Sequence, residues 1–185
     1  TDSGSMLFGI LPLLFAVGVA LGLAKCSKVV AALSALIAYF VMNAALASSV
    51  KNFLDLDLLL KAPGLISDFM SYKNTMNTSV LGGVIAGLLT VMLHNRFYTQ
   101  QLPTAISFFG GRRFVPIVTV VVLPLTGVLL ALIWPTIGQG IAWVGQMIGK
   151  SGQYGAFLLG ACERLLIPTG LHHILNETVR FTPIG

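Results

Sequence analysis

The chain has 185 residues, 56% of them hydrophobic and only 9% charged, whereas a soluble domain carries about 25% charged residues. With a mean hydropathy of +0.89, that balance excludes a soluble globular domain and predicts an all-α, polytopic membrane helical bundle of about four to five transmembrane helices. The net charge of +5 comes from scattered bases without interleaved aromatics. It reads as a topology signal and excludes a nucleic-acid groove.

Crossing ~30 Å of hydrocarbon takes ~20 apolar residues in a helix. The N-terminus, "TDSGSMLFGILPLLFAVGVALGLAK", has no basic n-region and no small-residue cleavage site, so it is not a signal peptide. It enters a first uncharged run, Met6 to Ala24. Val29 to Val50 is the second, and Thr75 to Leu93 the third. In the third, Gly82, Gly83 and Gly87 allow helix backbones to approach closely. Phe114 to Gly149 is too long for one upright span and holds Pro116, Pro124 and Pro135. It predicts a kinked span over Val115 to Ile137, then a shallow interfacial segment, "GQGIAWVGQMIG", with Trp134 and Trp143 at the bilayer boundary. These runs are about twice the ~10-residue alternating segments of a membrane β-barrel, so helices are expected.

The loops set an orientation. Lys25 and Lys28 lie in the first without an acid, and Arg96, Arg112 and Arg113 in the third, again without one. The second balances Lys51, Lys61 and Lys73 with Asp55, Asp57 and Asp68. Loops one and three are expected on the cytoplasmic side. Cys26 and Cys162 stand far apart, give no disulfide framework, and read as small half-apolar residues.

The chemistry concentrates near the end, in "ACERLLIPTGLHHILNET". Glu163, Arg164, His172, His173, Asn176 and Glu177 crowd around a break at Pro168 and Gly170. A charge at the centre of a membrane helix costs roughly 2.5–3.5 kcal/mol on insertion scales. Neighbours ~100° apart on a helix cannot both hide the same way. One reading puts Glu163 and Arg164 at an interface, snorkelling or paired. The other makes the stretch a polar site inside the bundle, because broken backbone at membrane depth is tolerated only beside protein or a wet cavity. A sugar suits it: Arg and His donate to hydroxyl oxygens and carboxylates accept hydroxyl protons. Phosphate-binding glycine motifs are absent from the sequence, and adjacent histidines point apart as metal ligands. No cofactor, metal or catalytic residue is expected. A proton relay through Glu163 and His172 in an ion-coupled transporter or channel, or a non-transporting scaffold, remain the competing functions.

The segments "PLLFAVGVALGLAK", "VLGGVIAGLL", "NRFYTQQLPTAISFFGGRRFVPI", "LIWPTIGQGI" and "ERLLIPTGLHHILN" together resemble the membrane subunit, enzyme IIC, of bacterial sugar phosphotransferase systems. The resemblance is to the branch that takes glucose, N-acetylglucosamine, maltose and glucosides. It implies group translocation across the bacterial inner membrane: the sugar is bound outside, moved inward, and phosphorylated by a phosphocysteine on a partner, enzyme IIB. It implies that Arg164 and His172 contact sugar, with Glu163, His173 and Asn176 lining or supporting the pocket, and that IIC itself is not phosphorylated. Residues 1–150 correspond to scaffold and oligomerisation helices and 151–185 to the start of the sugar-binding part. Arg112 and Arg113 are expected to face IIB or anionic headgroups, headgroups being the more ordinary role of juxtamembrane arginine. A homodimer is expected, with the Gly82 to Gly87 face as a candidate contact. The family's second half and a IIB phosphocysteine motif are absent from this sequence, so the chain is expected to be a fragment or half of a split protein.

Overall fold

The computed structural model describes residues 2–53, 66–69, 72–150, 153–169 and 172. Helix α1 runs Asp2–Leu23, α2 Lys28–Phe53, α3 Ser79–Phe97, α4 Phe114–Lys150 and α5 Gln153–Leu166. Between α2 and α3, β1 (Ile66–Phe69) and β2 (Tyr72–Met76) form an antiparallel hairpin in which Ile66 faces Met76 and Phe69 faces Tyr72. Among the described residues, Lys28–Asn52, Ser79–Phe97 and Gly111–Ile141 are long and apolar enough to cross a membrane, and Gly9–Leu23 is a shorter apolar helix. The chain is thus an all-α membrane bundle with one small hairpin.

The described residues divide into two compact units. The first comprises residues 1–45 and 80–127, and its packing follows from small side chains. In α1 the buried positions include Leu13, Ala16 and Ala20; in α2 they include Ala31, Ala35, Ala38 and Met42. These recur at helical spacing and put one face of each helix inward. Ala20, Ala24, Ala31, Ala35 and Val91 form one core cluster, where small side chains let three helices approach. A Cβ at Gly83 would collide with the Pro12 carbonyl, and one at Gly87 would lie 2.7 Å from the Ala16 carbonyl oxygen. At Gly127 it would lie 2.7 Å from the Met42 carbonyl oxygen. The glycine face of α3 is therefore used against α1 of the same chain. Gly83 and Gly87 are closed to a second copy, contrary to their expected part in a dimer contact.

Polar side chains inside these helices turn back on their own backbone. Ser34 Oγ donates to Val30 O at 2.7 Å, Asn43 Nδ2 to Tyr39 O at 2.8 Å, and Thr90 Oγ1 to Ala86 O at 2.7 Å. In a bilayer no water relieves an unpaired donor, so these internal bonds make the polar residues tolerable.

The expected break near Ile137 is absent: α4 continues for 37 residues through all three prolines. Pro116 falls in its first turn, where a helix needs no N–H. Thr119 Oγ1 donates to the Pro116 carbonyl at 2.7 Å. Pro124 and Pro135 each remove one hydrogen bond, which a helix held by packing absorbs.

The second unit comprises residues 46–79 and 128–185, as far as they are described. Trp134 is its anchor. It is 2% exposed and its Nε1 donates to Asn77 O at 3.1 Å, next to buried Thr75, Met76 and Thr78. Its indole N–H is satisfied by protein, so the ring packs inside, whereas Trp143 is 62% exposed.

Candidate functional site

The C-terminal cluster is positioned by α5 and its ending. Apolar and small residues carry the helix to Leu166; Ile167–Thr169 then tighten into a single 3-10 turn. Pro168 explains the stop, having no N–H to continue the helical ladder. Arg164 lies in the last turn, where a cation complements the unpaired carbonyls and the negative end of the helix dipole. Glu163 gains nothing there. Arg164 is exposed and Glu163 half-buried, the divergence that ~100° between neighbours requires. His172 is half-buried and belongs to the same compact unit as both. Two expected site residues, His173 and Asn176, lie outside the described residues, as do Gly170 and Glu177.

A second polar cluster, in the first unit, was not anticipated. It gathers where the α1–α2 loop meets the C-terminal end of α3. His94 is fully buried, and its Nε2 lies 2.7 Å from Cys26 O. A carbonyl only accepts, so the Nε2–H donates to it, which leaves Nδ1 as the second ring nitrogen. That Nδ1 has no hydrogen-bond partner among the described residues. The imidazole packs tilted on Tyr98, with ring centroids 5.2 Å apart. Beside it Asn95 Oδ1 accepts from Lys25 N at 3.1 Å.

Ser27 completes the tie. Its backbone φ of 41° is left-handed, an uncommon state for a residue other than glycine. Ser27 O accepts from Val30 N and Ala31 N at 2.9 and 3.2 Å, closing the first turn of α2. Its hydroxyl donates to the Tyr98 hydroxyl oxygen at 3.2 Å. The Ser27 hydroxyl, and after it Arg112, hydrogen-bond that phenol and hold its pKa below the ordinary tyrosine value.

Arg112 and Arg113 occupy a 3-10 turn, Gly111–Arg113, and both are exposed. Gly111 has φ of 63°, a conformation that favours glycine, and its N–H donates to Gln100 O at 3.0 Å. Arg113 reaches back over the preceding 3-10 turn, Thr104–Phe109. Its guanidinium carbon lies 4.2 Å from the Phe108 ring centroid, a cation–π contact, and Nη1 is 3.4 Å from Phe108 O.

The only sequence sign of the second cluster was polarity. His94 and Asn95 end an otherwise apolar run in "VMLHNRFY", but nothing in a linear sequence points that imidazole at Cys26, 68 residues away.

Comparison with known proteins fits the helical bundle. The chain is 42% identical over 185 residues to the PTS system maltose-specific EIICB component of Escherichia coli (strain K12), with 98% of the chain covered. It spans 35% of that protein's length, about a third. The profile of the phosphotransferase system EIIC family matches residues 1–185. The chain therefore belongs to the phosphotransferase system EIIC family.

Proposed function

We propose that this chain is part of a sugar-specific EIIC that crosses the bacterial cytoplasmic membrane several times, binds a hexose or glucoside, and carries it to an enzyme IIB partner. Family membership over residues 1–185 is the observation that carries this reading. The name of the E. coli relative joins a C part and a B part and specifies maltose, so maltose is the first sugar to test. In this reading residues 1–150 are scaffold and oligomerisation helices, residues 151–185 begin the sugar-binding part, and loops one and three face the cytoplasm.

Arg164 donates to sugar oxygens from the last turn of α5, and His172 donates or accepts beyond the 3-10 turn that ends it. Glu163, His173 and Asn176 line or support the pocket. Phosphoryl transfer breaks the S–P bond of the IIB phosphocysteine and forms an O–P bond to a sugar hydroxyl. EIIC supplies position and exclusion of water, and takes no phosphate itself. The exposure of Arg164 suits a group that meets ligand, since a guanidinium costs least where it stays solvated until the sugar arrives.

The test is maltose binding by the full-length protein, measured calorimetrically. Arg164→Ala and His172→Ala should each weaken binding by about 1–3 kcal/mol, the usual cost of losing one partner of a buried polar contact. Unchanged affinity in both variants rejects this site.

A further inference from the structure

The charges of the first unit are segregated end to end. Its cations are Lys25, Lys28, Arg96, Arg112 and Arg113, and its one acid is Asp2. Asp2 opens α1 and Lys25 follows that helix's end at Leu23, a separation of ~30 Å along 22 residues. The His94–Cys26, Asn95–Lys25 and Ser27–Tyr98 hydrogen bonds, with Arg112 on Tyr98, gather all five cations at one end. All five are exposed, so no carboxylate of this unit neutralises them.

Two of these cations stand in line with exposed apolar stripes. On α3, Leu88 and Met92 are exposed, and Arg96 is the next residue at the same i, i+4 interval. On α4, Ile117, Val121 and Leu125 are exposed at that interval, and Arg113 precedes Ile117 by four residues. The helix ends adjoin, since the rings of Phe97 and Phe114 meet edge to face at 5.8 Å. Arg96 and Arg113 are the sequence neighbours of that pair. Phe108, 69% exposed, lies under the Arg113 guanidinium, and Phe109 beside it is 48% exposed.

We propose that this end of the first unit is a seat for an anionic phospholipid. Arg96 and Arg113 hold the phosphate, the acyl chains run down the Leu88–Met92 and Ile117–Val121–Leu125 stripes, and Phe108 and Phe109 lie in the headgroup layer. The alignment of cation with stripe selects lipid over an acidic soluble domain. A soluble partner meets the cations alone, whereas a phospholipid presents a phosphate and a hydrocarbon chain at the same spacing. Arginine suits the role because its fork pairs with two phosphate oxygens at once. The proposal rests on the membrane fold and not on the assignment of a sugar.

The experiment measures binding of phosphatidylglycerol and of phosphatidylcholine to the purified protein in detergent by native mass spectrometry, at low and raised ionic strength. Phosphatidylglycerol is expected to bind preferentially, and the preference to fall with salt. Arg96→Gln and Arg113→Gln should each reduce it about fivefold, the equivalent of ~1 kcal/mol per base near a phosphate. Lys51→Gln, outside this cluster, should leave it unchanged. Should one variant fail to fold, the other and the salt dependence of the unsubstituted protein give the same reading. Equal binding of the two lipids, or a preference indifferent to both arginines, overturns the proposal. So does intact lipid preference in variants that lose phosphoryl transfer from a separately added IIB domain, because the face would then belong to a protein partner.

Discussion

Adding one methyl group should have opposite effects on α1 and on α3. At Gly87 a Cβ would stand 2.7 Å from Ala16 O, 3.0 Å from Val19 Cβ and 3.2 Å from Ala16 Cα. Carbon contacts settle at ~3.5–4.0 Å, so α1 and α3 must part by roughly 0.5–1 Å. A gap of that size forfeits about a quarter to a half of each dispersion contact along the seam. In a bilayer those contacts hold helices together, because lipid is as apolar as the side chains it replaces. Overpacking of this kind costs about 1–3 kcal/mol, and replacing glycine in a helix returns up to ~1 kcal/mol. Gly87→Ala should therefore lose about 1–2 kcal/mol. Gly83→Ala should lose more, because its Cβ would fall on the Pro12 carbonyl itself, and backbone cannot rotate away as a side chain does. Gly18 of α1 has nothing within 4 Å, so Gly18→Ala should be neutral or gain about 0.5–1 kcal/mol. Reversible unfolding by sodium dodecyl sulfate in mixed micelles gives the three values side by side. Gly83→Ala and Gly87→Ala proving as stable as Gly18→Ala would refute the α1–α3 seam.

Trp134→Phe removes the indole donor to Asn77 O and should cost about 0.5–1.5 kcal/mol in the same unfolding assay. In Trp134→Phe the remaining tryptophan fluorescence, from Trp143, should be open to an aqueous or lipid-soluble quencher, and in Trp143→Phe it should be shielded; similar quenching of both would reject the burial of Trp134. His94→Phe leaves the Cys26 carbonyl unpaired and should cost about 1–3 kcal/mol, with faster amide exchange over residues 24–28; unchanged exchange would show that the tie is not needed there. The Tyr98 phenol is held below its unfolded value of about 10. Between the two values the folded protein has shed a proton that the unfolded chain retains, so this group's contribution to stability is lost below its folded pKa and grows as pH rises towards 10. Tyr98→Phe should flatten that rise, and an identical alkaline profile in both proteins would reject the Ser27 and Arg112 bonds to the phenol.

The helices were legible because composition dictates them: uncharged runs of membrane length have no alternative to closing their own hydrogen bonds. The glycines of "LGGVIAG" marked a close approach, but only the fold shows that α1 of the same chain fills it. One expectation failed for a physical reason. Pro124 and Pro135 suggested a divided segment after loop three, yet a long helix can carry prolines when packing replaces the lost bonds. Trp134 suggested a bilayer boundary because indole prefers one. That its ring is buried in protein, with its N–H donating to Asn77 O, was not legible there. In the C-terminal cluster the break at Pro168 was readable from the ring, as was the divergence of Glu163 and Arg164 from helical geometry. His94 was not readable, because its role depends on a carbonyl brought to it by the folding of a distant loop.

Group translocation is tested most directly by the fate of the sugar. Right-side-out membrane vesicles carrying the full-length protein, loaded with phosphoenolpyruvate, the general phosphotransfer proteins and enzyme IIB, are given radiolabelled maltose in the medium. Sugar phosphate should form only when phosphoenolpyruvate and IIB are both present, and its formation should survive a protonophore. Unmodified maltose accumulating without IIB, and collapsing on addition of the protonophore, would contradict a phosphotransferase role and point to ion-coupled transport.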